Sequence, residues 1–242
     1  MARRRNSGLG ALGIWGIAAE VTGQIQYFIT TTEPAKRANC RTRILRENHW
    51  RLALMILGKI WVFLLWGWVG LEGVIAIATR TRRSQGTLHD RGTQVLIWAV
   101  IAFSFWASEW AAAPALEMPF SHYPLRIAAI ILIVLGLVVR IVAIVTLGKG
   151  FSANVAIRSA QKLQRSGLYS IVRHPSYLGM EIIFVAVGIW GHNWGSMAVM
   201  IGLPSAAVLY RIHVEEKALR SAFGTEYDEY ARTTQRLIPW VY

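Results

Sequence analysis

Apolar runs of about twenty residues recur along this chain, and no other feature limits its fold as strongly. Gly8–Thr30, Leu52–Thr79, Gln94–Ala113 and Leu125–Leu147 are each long enough to cross the hydrocarbon core of a bilayer. Two closely spaced apolar segments follow, Tyr177–Trp190 and Ser196–Ile212, joined by Gly191-His-Asn-Trp-Gly195. Backbone N–H and C=O groups find no water in lipid, so segments of this kind fold as helices. Soluble domains average roughly 45–50% apolar residues, whereas here 54% are hydrophobic. The expected fold is therefore all-α: a polytopic membrane protein of about five or six transmembrane helices. It ends in a helical hairpin and an amphipathic, cytoplasmic tail, helical to about Thr233.

The formal charge of +13 lies almost wholly in the connecting segments, which predicts contact with the bilayer and its anionic headgroups and none with nucleic acid. The positive-inside rule places the basic loop at 80–92 and the basic surface stretch at 149–176 in the cytoplasm, with the uncharged-to-acidic loop 114–123 outside. Six spans put both termini in the cytoplasm, in agreement with Arg3, Arg4 and Arg5, but export the basic linker at 33–51. Either the first segment does not fully cross, or the second bends back, or the linker is a tolerated exception. The N-terminal stretch has no clear cleavage site and reads as a retained anchor. Gly8, Gly10 and Gly13 match a dinucleotide-binding pattern, yet an arginine cluster rather than a strand precedes them, so the match is fortuitous. Cys40 is the single cysteine and the six histidines show no local ligand spacing, so no metal is expected.

Chemistry-bearing residues gather around the hairpin. Pro175 suits the first turn of a helix, with Arg173 and His174 just before it and Tyr177 just inside. A helix start of this kind attracts anions, through its unpaired N–H groups and its dipole. A chain that crosses at Tyr177 and returns at Ile212 brings Glu215 and Glu216 to the same face, with Arg211 one helical turn before Glu215. Arg211 is expected near the bilayer exit, still hydrated. Mixed charge and aromatic faces suit a ligand such as S-adenosylmethionine, with its carboxylate, ammonium, ribose diol and sulfonium. Glu181 lies four residues after Tyr177 and faces either the cofactor or a hydrogen-bonding partner across the hairpin. Glu72 is expected to snorkel or to pair between helices.

Gly167-Leu-Tyr169, Arg173-His-Pro-Ser-Tyr177-Leu-Gly179, Glu215-Glu216-Lys-Ala-Leu219, Phe223-Gly-Thr-Glu226-Tyr-Asp-Glu-Tyr230 and Pro239 occur in this order. With that spacing the chain resembles the isoprenylcysteine carboxyl methyltransferase family, which is similar in turn to membrane phospholipid methyltransferases. The resemblance covers about residues 125–242. It implies a methyltransferase core there, with divergent transmembrane segments over 1–124. It also implies that S-adenosylmethionine comes from the cytoplasm and a hydrophobic or prenylated acceptor from the bilayer. The cofactor residues it implies are Arg173, His174, Pro175, Tyr177, Gly179, Glu215 and Glu216. Many relatives have a histidine near Gln161, so no role carries over to that position.

The reaction expected is methyl transfer to a carboxylate, with Arg211 orienting the acceptor. An amine or phenol acceptor, as in a phospholipid or phenolic-lipid methyltransferase, would need Glu215 or Glu216 as base. A nicotinamide-dependent sterol-type reductase would need cations for the cofactor's phosphates, and the glutamate pair argues against it. A transporter or scaffold gives no reason for Arg173, Arg211, Glu215 and Glu216 to converge.

Overall fold

A computed structural model describes residues 34–78, 86–88, 92–148, 156–158 and 163–239. The first apolar segment Gly8–Thr30, with its glycine pattern, and Gln161 lie outside these residues. The chain divides into two compact units, Met1–Ile56 and Leu57–Tyr242. Every contact described below lies within the second.

The described residues are almost wholly helical: α1 (Pro34–Ala78), α2 (Thr93–Ala111), α3 (His122–Leu147), α4 (Pro175–Trp190), α5 (Trp194–Phe223) and α6 (Thr225–Thr233). Four stretches have the length and apolar composition of a span: Trp50–Ala78 within α1, and α2, α3 and α5; the shorter α4 is also apolar. The basic linker expected at 33–51 is not a loop. Helix α1 runs unbroken for 45 residues from Pro34, because proline fits a first turn and the alanines, arginines and leucines that follow are strong helix formers.

Local chemistry sets the helix ends. Gly92, in the left-handed region at φ 76, precedes α2. The Asn193 side chain caps α5, its Oδ1 accepting from the Gly195 N–H (2.9 Å) and the Ser196 N–H (3.2 Å). Gly224, at φ 53, separates α5 from α6, whose first turn carries Glu226 and Asp228 where the helix dipole favours negative charge.

Connections pair at both ends of the bundle. At one end β1 (Gly86–Leu88) and β2 (Ala156–Arg158) form a small antiparallel ladder, Thr87 opposite Ile157. The two basic loops therefore lie on one face, as expected. At the other end Glu117 bridges Asn193, and the Met118 N–H donates to the His192 carbonyl at 3.0 Å. The loop after α2 and the turn between α4 and α5 thus share the opposite face. Helix α4 joins the two faces and α5 returns, which makes the expected hairpin.

Small residues let the helices approach. Gly136 of α3 faces Gly179 of α4 so closely that a Cβ on Gly179 would sit 2.7 Å from the Gly136 carbonyl oxygen and 2.9 Å from the Arg140 backbone nitrogen. Ser196 of α5 donates from Oγ to the Ser108 carbonyl of α2 at 2.8 Å. Aromatic rings fill the remaining space: Trp61 stacks on Trp190 at 4.4 Å, Arg126 lies over that Trp190 ring at 5.0 Å, and Phe184 meets Trp68 edge-on.

Gly179→Ala places a methyl group against backbone that cannot yield cheaply. It should lower the thermal unfolding midpoint in detergent by the equivalent of about 1–3 kcal/mol. Gly202→Ala, where an added Cβ meets nothing within 4 Å, should leave the midpoint unchanged or raise it.

Candidate active site

The residues singled out in the sequence fall into linked groups at the α4 N-terminus and the later turns of α5. Pro175 opens α4, so His174 stands immediately before the first turn and Tyr177 within it. Helix α5 carries Arg211 and, one turn later, the adjacent Glu215 and Glu216 against it.

Glu216 is the centre of the first group. It is 1% exposed, and its carboxylate lies 3.2 Å from Arg173 Nε, 3.1 Å from Arg236 Nη2, 3.5 Å from His174 Nε2 and 3.7 Å from Arg220 Nη2. Several cations around one carboxylate allow it to remain ionised where water is scarce. Arg173 also donates from Nη1 to the Ala231 carbonyl at 2.9 Å and to that of Thr234. Its backbone N–H donates to the Gln235 carbonyl at 2.8 Å. Arg173 is therefore the clasp that holds the C-terminal tail over the site.

The second group runs between helices. Arg211 Nε donates to the Tyr177 hydroxyl at 2.7 Å, and that hydroxyl donates to Glu215 Oε2 at 2.8 Å. Arg211 Nη1 donates to Thr93 Oγ1, on the first turn of α2, at 3.0 Å. Arg211 is only 4% exposed, so the hydrated position expected for it is corrected. Tertiary contact with Thr93 and Tyr177 draws its guanidinium inward. Thr93 escapes sequence reasoning because a threonine at a helix start carries no signal for a partner so distant along the chain.

A third group supports the α4 start from below. Arg140 of α3 and Glu72 of α1 form a buried ion pair, with a second bond from Nη2 to Oε2 at 2.6 Å. Arg140 Nη1 also donates to Ser176, 2.8 Å to Oγ and 3.1 Å to the carbonyl oxygen. Glu72 is thus an interhelical partner, and Arg140, on the cleanest apolar segment, fixes the residue before Tyr177.

Two other candidates stand apart. Gly179 packs against Gly136 in the helix contact described above. Glu181 accepts from Ser205 Oγ at 2.5 Å across the hairpin, the second of the two arrangements expected for it.

The tail adds aromatic groups that sequence reasoning left unassigned. Tyr230 donates to the Tyr169 carbonyl at 2.7 Å. Burial pushes the Tyr230 phenol up to about 12 and raises those of Tyr169 and Tyr227 as well, so all three stay neutral. Tyr227 is fully buried, and its hydroxyl has no hydrogen-bond partner although it feels the charges of Glu215, Glu216 and Arg173. His174 Nε2 is buried as well, but it faces the Glu216 carboxylate at 3.5 Å and belongs to that cage. Buried polar atoms are rarely left unsatisfied. A buried hydroxyl left in this way, beside carboxylates and guanidiniums, fits a polar ligand carrying both signs of charge.

Residues 129–221 match the isoprenylcysteine carboxyl methyltransferase family. A probable protein-S-isoprenylcysteine O-methyltransferase of Oryza sativa subsp. indica is 30% identical over 177 residues, covering 71% of this chain and 90% of the rice protein. Protein-S-isoprenylcysteine O-methyltransferase B of Arabidopsis thaliana is 33% identical over 122 residues, which is 50% of this chain and 62% of that one. A solved structure of the eukaryotic intramembrane Ras methyltransferase of this family is 27% identical; the match covers 62% of this chain and 51% of that one, with a TM-score of 0.47.

Arg173→Ala removes the donor to the tail carbonyls and should open the segment after Gly224 to limited proteolysis about tenfold faster, leaving the α4–α5 hairpin protected. Glu226→Gln breaks only an exposed contact with Arg165 and should leave the cleavage rate as it is.

Proposed function

The chain belongs to the isoprenylcysteine carboxyl methyltransferase family, and from that premise we propose that it methylates the carboxylate of a hydrophobic, prenylcysteine-type acceptor with S-adenosylmethionine. The observation that carries this reading is the continuous chain Thr93–Arg211–Tyr177–Glu215. It sets a guanidinium, a phenol and a carboxylate side by side where the hairpin opens toward the tail.

Bound S-adenosylmethionine would supply an electrophilic methyl group on a sulfonium. Glu215, half-buried, is suited to the ligand's ammonium or ribose hydroxyls. The unsatisfied Tyr227 hydroxyl offers a further polar contact and the Tyr177 ring an aromatic face, while His174 lines the same place from beside Glu216. Glu216 and Arg173 hold these groups in place by closing the tail over them. Residues 125–242 form the methyltransferase core, and α1 and α2 brace it through Glu72 and Thr93.

An acceptor carboxylate is already ionised near neutral pH, so the displacement asks little of an acid or base. What the protein must provide is alignment of the two reactants and exclusion of water. Arg211 provides the cation that orients the acceptor, and Tyr177 and Thr93 hold its fork in one plane. The acceptor enters from the bilayer, to which the helices present many exposed apolar side chains, among them Phe63, Trp66 and Trp110. The face is cytoplasmic by the positive-inside rule: the sequence between α1 and α2 and that between α3 and α4, which β1 and β2 join, is rich in lysine and arginine, while residues 112–121 and 191–193 hold none.

Detergent-solubilised protein, incubated with methyl-labelled S-adenosylmethionine and N-acetyl-farnesylcysteine, should put label into the organic phase in a form that alkali releases as methanol. Alkali-stable label would mean nitrogen, sulfur or ether methylation and would sink the carboxylate reading.

Arg211→Lys keeps the charge and loses the fork. It should lower kcat by about tenfold or more, with the affinity for S-adenosylhomocysteine within about twofold of wild type. Turnover equal to wild type would assign Arg211 to packing alone.

A further inference from the structure

On the face opposite the candidate active site, we propose a binding site for a divalent transition-metal ion of the zinc class, built from His192, His122 and Glu117. One ligand atom from each lies within 4.8 Å of the others. The three residues come from the turn between α4 and α5, the first residue of α3 and the loop before it. No local spacing in the sequence joins them.

His192 is the fixed member. Its Nε2 lies 2.8 Å from the Phe120 carbonyl oxygen. A carbonyl only accepts, so Nε2 carries the hydrogen and Nδ1 of the neutral ring carries the lone pair. That Nδ1 is buried and has no hydrogen-bond partner; it points toward Glu117 Oε1, 3.8 Å away. A ring lone pair facing a carboxylate is unfavourable, and a cation shared by the two removes the conflict. Donation of the other ring nitrogen to a backbone carbonyl is the outer-shell arrangement that fixes a histidine for metal ligation.

The backbone holds the same residue in place. His192 is the one non-glycine residue at positive φ, 54°, among those described. A left-handed residue just past a helix end is a common way to close a helix, and histidine adopts this conformation more readily than most side chains. It is held here by the His192 N–H donating to the Ile189 carbonyl (3.1 Å) and by the His192 carbonyl accepting from Met118. Asn193 Nδ2 donates to the Ala113 carbonyl at 2.9 Å, which ties the same turn to the end of α2.

Glu117 and His122 are exposed, so they are the members that move. The His122 ring now stacks on that of His192 at 3.7 Å, with 24° between planes. Coordination requires it to turn until a nitrogen points at the shared ion, bringing ligand atoms to roughly 3.3 Å apart, the edge of a zinc tetrahedron. Two imidazoles and one carboxylate leave a fourth position for water and suit zinc over magnesium or calcium, which prefer all-oxygen shells. An ion there would staple the loop between α2 and α3 to the hairpin turn.

The test is titration of tag-free, chelator-treated full-length protein in detergent with cobalt(II), whose visible bands report a tetrahedral site, followed by displacement with zinc. One ion per chain is expected to bind saturably in the wild type and to raise its thermal midpoint. Affinity should fall at least about tenfold in both Glu117→Gln and His122→Ala, two exposed positions whose substitution leaves the fold intact. Absence of saturable binding means a proton, not a metal, sits on Nδ1, and overturns the proposal. Affinity unchanged in either variant places the ion elsewhere and overturns it equally.

Discussion

Every buried guanidinium around the site has its partners, and the arrangement of the site follows from that requirement. Arg140 pairs with Glu72 and Ser176, Arg173 with Glu216 and two tail carbonyls, and Arg211 with Tyr177 and Thr93. An unpaired charge in lipid or in a packed interior is expensive, and removing one partner of a buried pair typically costs about 3–5 kcal/mol. Each arginine therefore dictates which helix lies against which: α3 against α1 and the start of α4, the tail against α4, and α5 against both α2 and α4. The apolar surfaces permit many arrangements of helices in a bilayer, where burial of hydrophobic surface gives little preference among them. The charged contacts select one.

The same contacts explain why the two glutamates differ although they are adjacent. Glu216 turns inward to a cage of cations and is lost to solvent. Glu215 is half-buried and bonds to Tyr177. On the proposed reading, the first carboxylate holds the tail closed and the second meets the methyl donor. A pair that looks redundant in sequence thus divides into a structural and a ligand-facing member, because side chains one residue apart on a helix point about 100° apart.

Much of this was legible in the sequence, and the exceptions have a common cause. The hairpin, the placement of both basic loops on one face and the helical tail follow from apolar run length, charge and Pro175, all of which act locally. The convergence of Arg173–Tyr177 with Glu215–Glu216 follows from hairpin geometry alone. Glu72 could be read as an interhelical partner, but not its pairing with Arg140 and Ser176, nor the role of Thr93, since each depends on a residue far along the chain. The Tyr227 hydroxyl could not be read because its burial comes from the folded tail. Arg211 looked hydrated because its distance from the helix end suggested an exit from the bilayer; its burial depends on α2, which the local pattern does not reveal. The basic linker at 33–51 carried no helix assignment from the sequence, because its charge interrupts the apolar pattern, yet it is helical from Pro34.

The central claim is that methyl donor and acceptor meet at the Tyr177–Glu215 end of the hairpin. The most direct test is calorimetric binding of S-adenosylhomocysteine to wild type and to Glu215→Gln, a neutral substitution of equal size at a half-buried position. The account predicts affinity at least about tenfold weaker in the variant, with an unchanged thermal midpoint in the absence of ligand. Equal affinity in the two proteins would contradict it and place the cofactor away from this carboxylate.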